Sequence, residues 1–210
     1  MKKPTLLIVF LTVFIDVVGF SIIFPLFPEM LDYYIELDGK DSLIGSLVAW
    51  LSKFAGDDKN AVATLFGGVL GSLYGFLQFL FAPIWGAYSD RRGRRPTLIF
   101  TLGGIVLANL IWVFAGSFAL LVLGRALGGI MAGNISTASA VAADITSGKN
   151  RASGMILIGV ALGLGFILGP AIGGFAYGWQ LVEQGKAVPG LALHPFSGPA
   201  IIALAIAGVN

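Results

Sequence analysis

The sequence predicts an all-α protein that crosses a membrane several times. Of its 210 residues, 57% are hydrophobic and only 11% are charged, whereas soluble domains carry about 25% charged residues. Mean hydropathy is +0.90, and apolar runs of the roughly 20 residues needed to cross a bilayer recur along the chain. Thirty glycines suit helices that pack in lipid, where small residues let backbones approach closely. The absence of cysteine excludes disulfides and thiolate metal sites.

The first helix is expected over about 5–27. Its run LLIVFLTVFIDVVGFSIIFPLF is too long for a secretory leader, and no small-residue cleavage site follows it. Residues 28–60 read as a long external loop. Within it, DSLIGSLVAWLSKFAG places Leu43, Ile44, Leu47, Val48 and Leu51 at helical spacing, so a short amphipathic helix is expected at the membrane surface, serving either as a packing cap or as a lid. Further spans are expected at about 61–88, 97–115, 118–142 and 152–177. A sixth begins near Pro199 and is incomplete at Asn210, since twelve residues rise only ~18 Å against a ~30 Å hydrocarbon core.

Lys and Arg favour the cytoplasmic ends of spans. An N-terminus inside puts Lys2, Lys3, Arg91, Arg92, Arg94, Arg95, Lys149 and Arg151 on that side, while Lys40, Lys53, Lys59 and Lys186 are mixed with acids on the other. The expected setting is therefore a cell membrane, with lipid as the surrounding partner. The charge distribution calls for no nucleic acid. No Walker loop or H-E-x-x-H motif is present, so neither ATP drive nor zinc proteolysis is indicated, and no enzyme activity or cofactor is expected.

Two charges lie at membrane depth, where ionisable groups are costly and usually face a protein interior or cavity. Asp16 is thirteen residues beyond Lys3, about 20 Å from the inner edge, and Arg125 is seven residues past Phe118, which leaves it about 20 Å from the same edge. Opposite charges at matched depth would offset each other's desolvation. Alternatively, the acid accepts hydrogen bonds from a neighbouring helix and the arginine snorkels outward. Tyr74, Gln78, Asn109 and Asn134 are further polar positions within spans, each able to line a cavity or to satisfy an interhelical hydrogen bond. His194, the only histidine, reads as an ordinary loop residue outside the membrane.

Three motifs complete the pattern. In GAYSDRRGRRP, Gly86 permits close helix approach, Asp90 can complement a helix end, and Gly93 permits a tight turn. Arg91, Arg92, Arg94 and Arg95 could bind lipid phosphate, pair with Asp90 or enforce topology. LVLGRALGGIMAG surrounds Arg125. In GFILGPAIGG, Gly165, Gly169 and Gly173 share one helix face beside Pro170 and Gly174, which gives either close packing or a pliable seam.

Together these resemble motifs A, B and C of the major facilitator superfamily, with Tyr88 in place of the usual Leu and Gly128 in place of a common Gln. FIDVVGFSIIFPLFP and AADITSGKNRASG extend the similarity to the drug/proton antiporters, especially the tetracycline exporters. The acid those exporters carry in helix three is replaced by Ala108 and Asn109, which points to another cationic or amphiphilic compound. The resemblance implies the N-terminal six-helix half of that fold, with the sixth helix truncated. It also implies proton-coupled drug efflux across a bacterial inner membrane, with protons and a small molecule exchanged by alternating access and a C-terminal half or second copy completing the molecule. Asp16 and Arg125 would then meet across a central cavity, motif A would gate the cytoplasmic side, and motif C would close a seam. Uptake or metabolite exchange by the same fold, and a non-transporting truncated or half-length membrane protein, stand as alternatives.

Overall fold

A computed structural model describes residues 3–56, 58–146, 150–179 and 193–210. Among these, the regular elements are helices alone. They are α1 (Lys3–Ser21), a 3₁₀ turn (Phe24–Leu26), α2 (Phe27–Asp38), α3 (Leu43–Ala55), α4 (Lys59–Arg92), α5 (Arg94–Val113), α6 (Phe118–Met131), α7 (Asn134–Ile145), α8 (Asn150–Tyr177) and α9 (Ser197–Val209). Among the described residues, five stretches are long and apolar enough to cross a membrane: Leu6–Asp38, Lys59–Arg92, Arg94–Val113, Phe118–Ile145 and Ala152–Tyr177.

The helical path differs from the sequence reading at two places. Residues 28–38, expected in a loop, continue the first span as α2. Pro25 and Pro28 fall at the first turns of the 3₁₀ turn and of α2, where a missing N–H costs nothing. The acids in this stretch sit on an amphipathic helix that buries Met30, Leu31 and Tyr34 and leaves Asp32 and Glu36 exposed. The fourth span is likewise interrupted, at Ala132–Gly133. Trp85 of α4 packs where a Cβ on Gly133 would stand, and its indole N–H donates to Ile130 O at 2.5 Å. Gln78 donates to Ala132 O at 3.4 Å. Carbonyls released by the break thus find side-chain donors, a requirement at membrane depth.

Loop residues set the helix starts. Ser42 Oγ accepts from Gly45 N–H at the start of α3, and Asp58 accepts from Asn60 and Ala61 N–H at the start of α4. Asp38, ending α2, reaches across to accept from Phe118 N–H at 2.8 Å and caps α6. One apolar cluster joins α2, α4, α6 and α9 around Tyr34, Phe66, Phe118 and Phe196, and a second joins α1, α7 and α8 around Val13, Ala138 and Ala161.

His194 is a structural residue rather than an ordinary loop position. It is 1% exposed. Phe196 N–H donates to its Nδ1 at 3.3 Å, so Nε2 carries the proton and donates to Trp112 O at 2.8 Å. Ser197 Oγ donates to Val113 O, and Tyr34 Oη donates to Ala115 O. Three side chains therefore satisfy the carbonyls at the end of α5. Burial depresses the His194 pKa below its ordinary value, against the smaller opposing pull of the Trp112 carbonyl. Below pH ~6.5 the unfolded chain takes up a proton that the folded one resists, so stability should fall as pH drops, by at most about 1.4 kcal/mol per pH unit. Melting of His194→Gln against the parent at pH 7.5 and pH 5 checks this; the variant should lose less on acidification.

Candidate functional site

Four helices bring polar groups to the centre of the bundle. Asp16 comes from α1, Tyr74 and Gln78 from α4, Asn109 from α5 and Arg125 from α6. Asp16 is 6% exposed and Arg125 is 7% exposed. Both line a space of about 30 Å³ together with Gly19, Phe20, Tyr74 and Asn109, room for about one water. Asp16, Phe20 and Tyr74 also wall an adjoining cavity of about 240 Å³, with Gln78, Ile135 and Phe166.

Asp16 and Arg125 share this space without touching as an ion pair; among the described residues, the ion pairs are both made by Arg94. The Arg125 guanidinium instead lies 5.0 Å from the Phe20 ring centroid and 4.8 Å from that of Tyr74. Those two rings are 4.4 Å apart. Desolvated cation–π contacts are worth about 2 kcal/mol, which offers the guanidinium a face-on alternative to the carboxylate. Arg125 Nε and Nη2 are buried and without hydrogen-bond partners. Gly128, where Gln is common, has a local reason: a Cβ there would come within 2.9 Å of the Tyr74 ring, so glycine admits the ring that covers Arg125. Asn134, the first residue of α7, stands one turn before Ala138, which packs with Val13 and Val17 on either side of Asp16, and its two amide atoms are buried with no hydrogen-bond partner.

The GPAIGG helix is built against the one that carries Asp16. A Cβ on Gly165 would stand 2.7 Å from Val17, and one on Gly169 would stand 2.8 Å from Val18 O. A Cβ on Gly173 would collide with the carbonyl of Ile22. Ser21 Oγ, which donates to Val17 O of its own helix at 2.7 Å, lies 3.1 Å from Gly165 O across the seam. Gly174 lies off this seam, with open space beside it, and Pro170 sits within α8.

At the arginine-rich end, Gly93 has φ +98° and turns α4 into α5. Arg94 pairs with Asp90 at 2.7 Å and with Asp144 of α7 at 3.1 Å, and donates to Ser89 Oγ at 2.9 Å. Arg91, Arg92 and Arg95 are exposed. Gly86 has open space beside it, so within this chain it serves no close helix approach.

The sequence pattern of the Major Facilitator Superfamily matches residues 9–206. The chain belongs to that superfamily. The family and fold are those of transporters. Curated relatives of this facilitator chain include the bovine "Major facilitator superfamily domain-containing protein 10", 39% identical over 191 residues, covering 89% of this chain and 40% of that protein. The class B tetracycline resistance protein of Escherichia coli is 37% identical over 162 residues, covering 77% of this chain and 35% of that one. Among solved structures, the human organic anion transporter MFSD10 (TETRAN) matches with a TM-score of 0.83 at 34% identity, covering 99% of this chain and 45% of that one. The facilitator chain thus spans about 40% of the length of the curated relatives it matches.

Several residues of this facilitator's centre escaped the sequence reading. Phe20 and Ser21 stood within the quoted stretch FIDVVGFSIIFPLFP, and Trp85 directly before GAYSDRRGRRP, without a role being assigned. Asp144 stood within the quoted stretch AADITSGKNRASG without a partner being assigned. Their positions depend on contacts between helices distant in sequence.

Proposed function

We propose that this chain forms the amino-terminal half of a proton-coupled antiporter that exports a small hydrophobic or cationic organic compound by alternating access. The observation that carries the reading is the burial of Asp16 and Arg125 in one cavity without an ion pair, because an acid free to exchange protons and a cation held apart from it can respond separately to proton and cargo. Asp16 takes the proton, and Tyr74, Gln78, Asn109 and Asn134 contribute polar contacts for cargo. The arginine-bearing end faces the cytoplasm, where Arg94 with Asp90 and Asp144 forms the gate. A difference of 1–3 kcal/mol in such contacts shifts populations appreciably. The α1–α8 glycine seam supplies the pliable closure, and a second half completes the passage.

A second reading, transport of organic anions, is favoured by the two unpartnered Arg125 nitrogens and by the description of the human relative. The test reconstitutes the assembled transporter in vesicles under an imposed pH gradient, with one lipophilic cation and one aromatic carboxylate as labelled cargo. Gradient-driven accumulation of the cation is expected, and Asp16→Asn should abolish it while sparing exchange of labelled for unlabelled cargo. Accumulation of the carboxylate alone selects the second reading, and gradient-driven transport that survives Asp16→Asn overturns the coupling role.

A further inference from the structure

Asn134 is fully buried, and neither its amide nitrogen nor its amide oxygen has a hydrogen-bond partner. A buried polar group left unpaired costs about 1–3 kcal/mol, so an amide unpaired at both atoms calls for an explanation. General looseness at the α6–α7 break is not the reason, because neighbouring groups there are satisfied. Ile130 O receives the Trp85 indole, Ala132 O receives Gln78, and Gly133 O receives the hydroxyls of Ser136 and Thr137. Asn134 is the side chain at the break that is left over.

Its location supplies the explanation. Asn134 opens α7, and the next residue, Ile135, lines the same 240 Å³ cavity as Asp16. Val13 and Val17, which flank Asp16 on α1, pack in one cluster with Ala138 of α7. One turn before Ala138 on the same face of α7, Asn134 is therefore turned toward the stretch of α1 that carries Asp16, a carboxyl that, on the proposed function, gains and loses a proton. A primary amide offers donors at nitrogen and an acceptor at oxygen. It can serve both forms of that carboxyl, where an aliphatic side chain serves neither.

We propose that Asn134 is a positioning residue for Asp16: Nδ2–H donates to the carboxylate, and after rotation Oδ1 accepts the hydrogen of the carboxylic acid. The proton moves only between the cavity and an Asp16 oxygen; Asn134 gains and loses none.

The inference rests on Asp16 being the group that exchanges protons, and infrared difference spectra of the assembled transporter, acid minus alkaline, separate the two ideas. A carboxylic C=O band that disappears in Asp16→Asn belongs to Asp16. In Asn134→Leu that band is expected at higher wavenumber, since the acid loses its hydrogen-bond acceptor, and gradient-driven transport should fall about tenfold, the equivalent of one hydrogen bond to a charged group. Asn134→Ser, whose hydroxyl donates and accepts, should return the band and recover much of the transport. An unmoved band in Asn134→Leu protein that elutes like the parent overturns the role of Asn134 while leaving Asp16 intact. If the parent shows no band attributable to Asp16, the proton-carrying reading fails and this inference falls with it.

Discussion

Gly169→Leu is expected to remove most of the protein from the folded population. Even a Cβ at this position would collide with Ser21 Oγ and lie 2.8 Å from Val18 O, and a backbone carbonyl within α1 cannot swing aside as a flexible side chain can. Leucine adds three more carbons, so α1 and α8 must separate along the seam where Ser21 Oγ also meets Gly165 O. Overpacking costs about 1–3 kcal/mol in cores that can adjust, and about 3 kcal/mol or more is expected where the obstacle is main chain. Gly174→Leu is the matched control, because open space lies beside that residue. Chromatography in detergent after a temperature ramp should show Gly169→Leu aggregating well below the parent and Gly174→Leu close to it. Coincident curves for the two leucine variants would mean that the seam does not hold α1 and α8 as described.

Arg125→Met is expected to cut transport roughly hundredfold. Arg125 is the sole cation among the residues lining the two cavities that contain Asp16. Its two open nitrogens are the charged donors this site can offer, and a hydrogen bond to a charged group is worth about 1.5–3 kcal/mol, roughly ten- to hundredfold. Methionine fills much of the same volume against Phe20 and Tyr74, which limits the packing loss and isolates the charge. Arg125→Lys should recover little, since an ammonium lacks the planar face and the forked donors of the guanidinium. Exchange of labelled for unlabelled cargo in vesicles, with no gradient applied, measures this directly. Parent-like exchange by Arg125→Met would remove Arg125 from the cargo pathway.

Much of the architecture was legible because lipid imposes simple rules: a span needs a long apolar run, and a charge inside it stands out. Asp16 and Arg125 were visible for that reason, and their matched depth followed from helical rise. Both breaks in the spans were harder to read. Pro25 and Pro28 look like the end of a helix, yet proline is tolerated at a first turn, and the chain continues through α2. The Ala132–Gly133 break has no proline and no polar interruption before Asn134; it is accompanied by Trp85, 48 positions earlier than Gly133 in the sequence. The same limit applied to the central charges. Opposite charges suggested a direct pair, whereas the rings of Phe20 and Tyr74 lie beside the guanidinium, and nothing in local sequence distinguishes such rings from lipid-facing ones. His194 was misjudged because segment polarity says little about what folds over it.

One long element ties these regions together. Helix α4 runs unbroken for 34 residues, about 50 Å. Along it, Tyr74 covers Arg125, Gln78 and Trp85 hold the fourth-span break, and Ser89 and Asp90 engage Arg94. It therefore works like a crankshaft: a tilt at one end is delivered to all three stations at once. Pro83, between Gln78 and Trp85, removes one backbone donor from the shaft, so the two side chains that hold the fourth-span break bracket its weakest turn.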